Sequence, residues 1–310
     1  MRVVIAGATG FIGRALCREL HRDCQVVALS RDRHKANGLV GEYARVVEWN
    51  ALTGGTWTNE IDAADAVVNL AGENIAARRW SRSRKADILQ SRSHSIAAII
   101  DAIETIKTKP KVFVQASAVG YYGARGDETL DEDAGAGSGF LAEVCRRVEI
   151  AAARAEHFGV RTVIIRSGMV LGPDGGALPK LMRPFRYFVG GHVGSGRQWV
   201  SWISLPDELR AIRFLIKKSK LQGVFNLTAP DPVRMKMFCR TLGRVMGRPA
   251  WTFVPAFALR LALGQMADEA LLNGQKVVPR RLTEAGFQFE HPDLAGALKV
   301  VVRGDKHESA

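Results

Sequence analysis

Cysteine is scarce in this 310-residue chain, and Cys17, Cys24, Cys145 and Cys239 are scattered at no metal-ligand spacing. That argues against a disulfide framework or a zinc site and points to free thiols in a reducing, cytoplasmic compartment. No apolar run is long enough to span a bilayer, so no membrane partner is expected. The first core strand starts at Val3, which leaves no expected room for a signal peptide. Low-complexity runs are missing as well; with 47% hydrophobic residues the chain is expected to be folded throughout, apart from a tail over 303–310. Acidic residues are outnumbered, 31 against 44 basic ones, which leaves a net charge of +13. The densest basic stretch is Arg78, Arg79, Arg82, Arg84 and Lys85, with Arg92 further along. No recognition-helix pair or RNA-binding aromatic signature accompanies it. The positive field therefore reads as suited to a small anionic ligand, with nucleic acid not expected as a partner.

What is present begins almost at the first residue. Val3 to Ala6 is a short buried strand, and Gly7, Gly10 and Gly13 follow it in a GxxGxxG turn that opens an amphipathic helix carrying Ile12, Leu16 and Leu20. Gly7 permits the tight turn, Gly10 lets the backbone approach a pyrophosphate, and Gly13 lets helix and strand pack closely. The anion then rests on the helix N-terminus, among free N–H groups and the positive end of the macrodipole. A second strand, Val26 to Leu29, ends at Ser30 and is followed by Arg31, Arg33, His34 and Lys35. No carboxylate stands at the strand end to accept a ribose 2′-hydroxyl; Asp32 lies two residues beyond it, between arginines. A 2′-phosphate held by Arg31 is favoured, and the expected cofactor is NADP(H).

Apolar strands alternate with amphipathic helices along the first half: Val3 to Ala6, Val26 to Leu29, Val46 to Glu48, Ala66 to Leu70, Val112 to Ala116 and Thr162 to Arg166. Their lack of in–out alternation is the mark of strands covered on both faces, so the fold class is α/β, a doubly wound parallel Rossmann sheet. The expected division is a dinucleotide-binding domain over 1–170 and a smaller α+β substrate lobe over 171–302, interleaved with the sheet. In that lobe a helix is expected from Leu178 to Phe188, another from Asp207 to Lys217, a returning strand within Gly223 to Pro232, and a short helix from Pro255 to Gly264.

Several blocks in series resemble the extended short-chain dehydrogenase/reductases, and more narrowly their atypical "epimerase family protein" branch with a C-terminal domain of unknown function. The blocks are GATGFIG (Gly7 to Gly13), NLAGENI (Asn69 to Ile75), RRW (Arg78 is followed by Arg79 and Trp80), ASAVGYYG (Ala116 to Gly123), RGDE (Arg125 to Glu128), FLAEVCR (Phe140 to Arg146), GPDGGALPK (Gly172 to Lys180), GSGRQW (Gly194 to Trp199) and VVPRRLTEAGF (Val277 to Phe287). The resemblance implies that Gly7, Thr9, Gly10, Phe11, Ile12 and Gly13 hold the pyrophosphate. It also implies that Ser30 and Arg31 address the adenosine ribose, and that Leu70, Ala71 and Gly72 line the cofactor. Asn50 falls where such folds place an adenine-binding acid, and its side-chain carbonyl has the acceptor for that bond.

The wider superfamily uses a serine with a Tyr-x-x-x-Lys pair. Ser117 matches the serine, but the helix that carries the pair reads FLAEVCRRVE, which gives Phe140 with Val144 or Leu141 with Cys145, depending on register. Neither pair can relay a proton in the usual way. Tyr121 and Tyr122 are the candidate substitutes, against a reading in which they only pack; Glu73 and Glu143 are the carboxylates to examine as bases. Arg79 with Trp80, and Arg197 with Trp199 and Trp202, combine planar cations with flat rings, which suits a phosphate beside a sugar or base. Two functions compete at this point: an NADP(H)-dependent epimerase or reductase acting on a nucleotide-linked or phosphorylated small molecule, and an NADP(H)-binding sensor or regulatory partner that has lost the chemistry.

Overall fold

The apolar strands of the sequence assemble into one seven-stranded sheet, and every neighbouring pair in it is parallel. In the computed structural model, which describes residues 1–307 and side chains as far as residue 302, the first five strands are β1 (Arg2–Ala6), β2 (Gln25–Ser30), β3 (Arg45–Glu48), β4 (Ala66–Asn69) and β5 (Val112–Ala118). Next come β6 (Thr129–Leu130), β7 (Arg161–Ser167), β8 (Met169–Leu171), β9 (Gly191–Val193), β10 (Trp199–Val200), β11 (Trp202–Ser204) and β12 (Gly223–Leu227). The sheet order is β12-β7-β5-β4-β1-β2-β3. The helices that position the site are α1 (Phe11–Leu20), α2 (Arg33–Val40), α3 (Thr58–Ile61), α4 (Arg82–Thr105) and α5 (Phe140–Ala153). The expected tail over 303–310 lies outside the residues whose side chains are described; the last helix is drawn to His307.

Successive residues of a strand face opposite sides of its sheet, and here both sides are covered. Val3 and Ile5 enter one core with Leu16, Ala28, Val46 and Ile212, while Val4 and Ala6 enter another with Leu29, Val67, Ile99 and Phe113. Each such side chain contributes about 1.5–3 kcal/mol when fully buried, which is why the strands carry no polar alternation. The chain runs outward from β1 to β2 and β3, then crosses to β4 on the other side. That reversal opens a crevice between the carboxyl ends of β1 and β4, where open α/β sheets bind ligands.

After Met169 the chain builds a smaller lobe and returns one strand, β12, to the sheet beside β7. The lobe's core gathers Leu171, Leu178, Phe185, Trp202, Phe238 and Leu298. The helix at Leu205–Lys217, expected in the lobe, packs instead on the sheet through Leu209, Ile212 and Leu215, and it starts two residues before the expected Asp207 because Ser204 is the cap: the Ser204 hydroxyl accepts a hydrogen bond of 3.1 Å from the Asp207 N–H. The helix expected to end at Phe188 stops at Arg186, and the returning strand spans only Gly223–Leu227. Among the described residues no helix is long and apolar enough to cross a membrane, no His/Cys/Asp/Glu group is arranged to hold a metal, and all four cysteines are free.

Candidate functional site

The crevice at the β1–β4 reversal is two cavities that share the wall Leu70, Ala71 and Gly72. The first, about 720 Å³, is lined by Gly7, Thr9, Gly10, Ser30, Arg31, Lys35, Asn50, Glu73 and His94, among others. The second, about 370 Å³, is lined by Arg92, Ser117, Gly120, Leu141, Cys145, Ser167, Glu269 and Gln275, among others. A larger groove of about 810 Å³ lies elsewhere, beside α1. Four of its cations, Arg22, Arg210, Arg213 and Lys217, are committed to neighbouring acids, and it holds no part of the glycine turn.

At the floor of the first cavity the glycines fit closely. Gly7 sits at φ +78°, and a Cβ there would lie 2.6 Å from the Leu70 carbonyl carbon. A Cβ on Gly13 would lie 2.3 Å from the Gly7 oxygen. Only hydrogen at those positions lets β1, α1 and the β4 loop close to this distance. No side chain caps α1, so the N–H groups of its first turn remain available to an anion. Phe11 and Ile12 stand in that first turn, and their side chains pack on the core. Asn69, fully buried, shapes the shared wall: its Oδ1 accepts from the Ala71 N–H at 3.1 Å, and its Nδ2 donates to Gln115 Oε1 at 2.8 Å and to Ser95 Oγ at 3.2 Å.

The basic end of this cavity agrees with the missing carboxylate of the sequence. Asp32 Oδ1 accepts from the Lys35 N–H at 2.9 Å as the cap of α2, and the Ser30 hydroxyl accepts from the Asp32 N–H at 3.3 Å. Asp32 is thus spent on its own helix, and Arg31, 75% exposed at the side chain, projects at the rim with Lys35. Glu73 lies across from Arg31 at 3.9 Å and is held by Arg84 at 3.0 Å, so it is a structural counter-ion and not a free base. Asn50 corrects an expectation. Its side-chain oxygen accepts from the N–H groups of Leu52 (2.9 Å) and Thr53 (3.0 Å), which uses both lone pairs on the turn and leaves none for an adenine amine.

In the second cavity α5 presents Leu141, Val144, Cys145 and Val148, whereas Phe140 packs edge-on against Trp80 with ring centroids 5.0 Å apart, which favours the Leu141–Cys145 register. The usual tyrosine position is leucine, the lysine position cysteine, and burial pushes the Cys145 thiol up, away from thiolate. Ser117 stands at the carboxyl end of β5, and its hydroxyl donates to Glu149 Oε1 at 2.7 Å. Glu149 in turn forms a buried bidentate pair with Arg166, at 2.9 and 2.7 Å. Burial by itself would lower the Arg166 pKa, but the Glu149 carboxylate outweighs it and holds the guanidinium firmly charged.

Both candidate phenols belong to this buried network and not to the cavity. Tyr122 is 0% exposed; its hydroxyl donates to Asn226 Oδ1 at 2.7 Å and accepts from Arg166 Nη1 at 2.9 Å, and burial raises its pKa. Tyr121 lays its ring over the Arg166 guanidinium at 3.4 Å. Neither lines the cavity, and the Tyr122 hydroxyl is already committed on both sides. Glu143 is likewise tied to Arg146 and Arg147 on the outer face of α5.

The arginine and tryptophan motifs also separate. Trp202 is 0% exposed in the lobe core, with its indole N–H on the Asp231 carbonyl at 3.1 Å, and Trp80 is 9% exposed and donates to Ile75 O at 2.8 Å. Both are packing residues. Trp199 donates to Asp127 at 2.9 Å and lies under Arg234, 4.0 Å from its ring centroid, while Arg79 and Arg197 are exposed outside both cavities.

Three lining residues escaped the sequence reading. Glu269, from the C-terminal segment, accepts from the Leu141 N–H at 2.9 Å and from Gln265 Nε2 at 2.7 Å. It caps α5 and brings a carboxylate to the cavity from 128 residues away. Arg92 reaches the cavity from α4, beneath Gly72. Ser167 lies at the end of β7 and donates to Glu208 at 2.6 Å, a fully buried carboxyl that desolvation pushes to about 8.

The model of the NAD dependent epimerase/dehydratase family matches residues 3–228, which include the glycine turn, Ser117 and all seven sheet strands. The chain belongs to this family. Residues 254–301, which carry Glu269, match a domain of unknown function (DUF1731). A Mycobacterium leprae relative named epimerase family protein ML0860 is 42% identical, over 96% of this chain and 94% of its own. The Arabidopsis thaliana chloroplastic homologue of epimerase family protein SDR39U1 is 40% identical, over 98% and 87%. The solved structure of human SDR39U1 with NADPH superimposes with a TM-score of 0.87 at 34% identity, covering 98% of this chain and 99% of that one. Pairing of the family's fold with a C-terminal domain of unknown function agrees with the atypical epimerase branch that the motifs resemble.

Proposed function

We propose that this epimerase/dehydratase family member binds NADP(H) and acts as an oxidoreductase or epimerase on a nucleotide-linked or otherwise phosphorylated, hydroxylated small molecule in the cytoplasm. The observation that carries the reading is the single crevice. It runs from a cationic rim (Arg31, Lys35), over a glycine cradle that any Cβ would fill, to Ser117. The human relative's structure with NADPH supports the choice of dinucleotide.

NADP(H) bound there supplies hydride donor or acceptor chemistry. Arg31 and Lys35 hold the 2′-phosphate by charge-assisted hydrogen bonds. The first-turn N–H groups of α1 hold the pyrophosphate. Ser117 addresses a substrate oxygen, and Glu149 fixes the serine rotamer from behind. Glu269 is the carboxylate on the cavity side and is assigned the proton that the missing tyrosine would carry.

The test uses purified protein, NADPH and a panel of nucleotide sugars and carbonyl compounds. Ser117→Ala and Glu269→Gln each lower kcat about 100-fold or more and leave NADPH affinity within twofold of wild type. The competing reading, a sensor that kept the cofactor and lost the chemistry, is favoured by Leu141 and Cys145 at the catalytic positions of α5. Tight NADPH binding with no turnover across the panel establishes that second reading.

A further inference from the structure

The cation that α5 lacks stands on α4. Arg92 lines the Ser117–Cys145 cavity, and its guanidinium lies so close under the shared wall that a Cβ on Gly72 would meet Cζ at 2.9 Å. One of its donors, Nη1, is spent on its own helix, at the Ile88 carbonyl, 2.9 Å away. Among the described residues no carboxylate lies within ion-pair distance of it. Glu73, the acid that faces it, is held by Arg84 at 3.0 Å and lies 3.9 Å from Arg31. Cys145 and Arg84 are the other titratable groups that face Arg92; the thiol is pushed towards neutrality by burial, and the second guanidinium repels. Burial also presses the Arg92 pKa down, the mark of a charge taken out of water without full compensation. A guanidinium carries five N–H donors in a fixed fork. Among the described residues the Ile88 carbonyl is the one acceptor that the Arg92 side chain meets.

We propose that Arg92 is the cation of the nicotinamide half of the crevice. In this role it donates to the nicotinamide-ribose oxygens of NADP(H) beside Ser117, the duty left open by cysteine at position 145. The proposal rests on the NADP(H) reading and deepens it. Arg92 approaches from the opposite helix to the missing lysine, so the charge is kept while the helix that carries it changes. It is a binding residue for the distal half of the cofactor only, because the adenosine cavity is lined by its neighbours Ser91, His94 and Ser95 and not by Arg92.

That division gives the experiment. NADPH spans both cavities, whereas adenosine 2′,5′-bisphosphate reaches only the first. Titration calorimetry of both ligands against wild type, Arg92→Met and Arg92→Lys should give an NADPH affinity at least tenfold weaker in Arg92→Met. Bisphosphate affinity should stay within twofold, and Arg92→Lys should recover most of the loss. If Arg92→Met does not fold, Arg92→Gln takes its place, since it keeps donors and removes charge. Equal losses for both ligands, or no loss for either, assign Arg92 to packing beneath Gly72 and overturn the proposal. Wild-type protein that binds neither ligand overturns the cofactor reading itself, a result distinct from failure of the Arg92 variants alone.

Discussion

The two halves of the crevice are built by different means. The half proposed for adenosine is made of backbone: a turn of glycines, the uncapped start of α1, and a strand end whose following carboxylate, Asp32, caps α2. The nicotinamide half is made of side chains from distant segments: Ser117 on β5, Arg92 on α4, Cys145 on α5 and Glu269 from the C-terminal domain. Backbone sites tolerate little beyond glycine, so the first half keeps its family form. A side-chain site can pass a task from one helix to another, and the second half lacks the tyrosine and lysine but brings a serine, an arginine and a glutamate to one cavity.

The largest expected effect is on the buried scaffold of the second half. Glu149→Ala leaves Arg166 charged and unpaired beside Tyr121 and Tyr122, at a cost of about 3–5 kcal/mol, read by urea denaturation. A loss under about 1 kcal/mol would mean that the pair behaves like a surface ion pair. In the first half, Gly7→Val puts a branched side chain at positive φ against Leu70 and should weaken NADPH about 100-fold by calorimetry, with stability also reduced. Arg31→Ala should weaken NADPH about 30-fold and NADH less than about twofold; equal losses would remove the argument for the 2′-phosphate.

A separate effect, spread over several pH units, is a pH slope behind the second cavity. Burial raises the folded-state pKa of Glu208 from an ordinary 4.5 to about 8, so the neutral acid is the stable form in the folded protein. Its contribution is complete below the unfolded value and is lost as the pH rises through the folded one, with a slope of at most about 1.4 kcal/mol per pH unit. Glu208→Gln should flatten unfolding free energy against pH between 4.5 and 8, the same two values. An unchanged slope would show that the carboxyl ionises freely.

The same contrast explains what was legible in the sequence. Strands buried on both faces declare themselves locally, and the glycine spacing reports contacts between neighbours in the chain, so the sheet and the glycine turn could be read directly, whereas the turn that uses up the Asn50 oxygen could not. The other half depends on partners far apart. Tyr122 reads as a phenol beside a catalytic serine until Asn226, 104 residues on, is found accepting its hydrogen bond. Trp202 reads as a stacking platform until its indole is found bonded inside the lobe core. Glu149 lies in a charged helical stretch that resembles a solvated face, and only Arg166 on β7 reveals it as buried. Arg92 was visible only as the end of a basic run. The absence of tyrosine and lysine was legible, but the register that puts Leu141 and Cys145 in their places required the packing of Phe140 on Trp80.

The central claim, that one dinucleotide bridges both halves, is tested most directly by a crystal structure of the protein with NADPH. The account predicts the 2′-phosphate at Arg31 and Lys35, the pyrophosphate on the first turn of α1, and the nicotinamide ring beside Ser117 with Arg92 on the adjoining ribose. A nicotinamide ring turned out of the Ser117 cavity, or a glycine turn left without ligand at saturating NADPH, would contradict it.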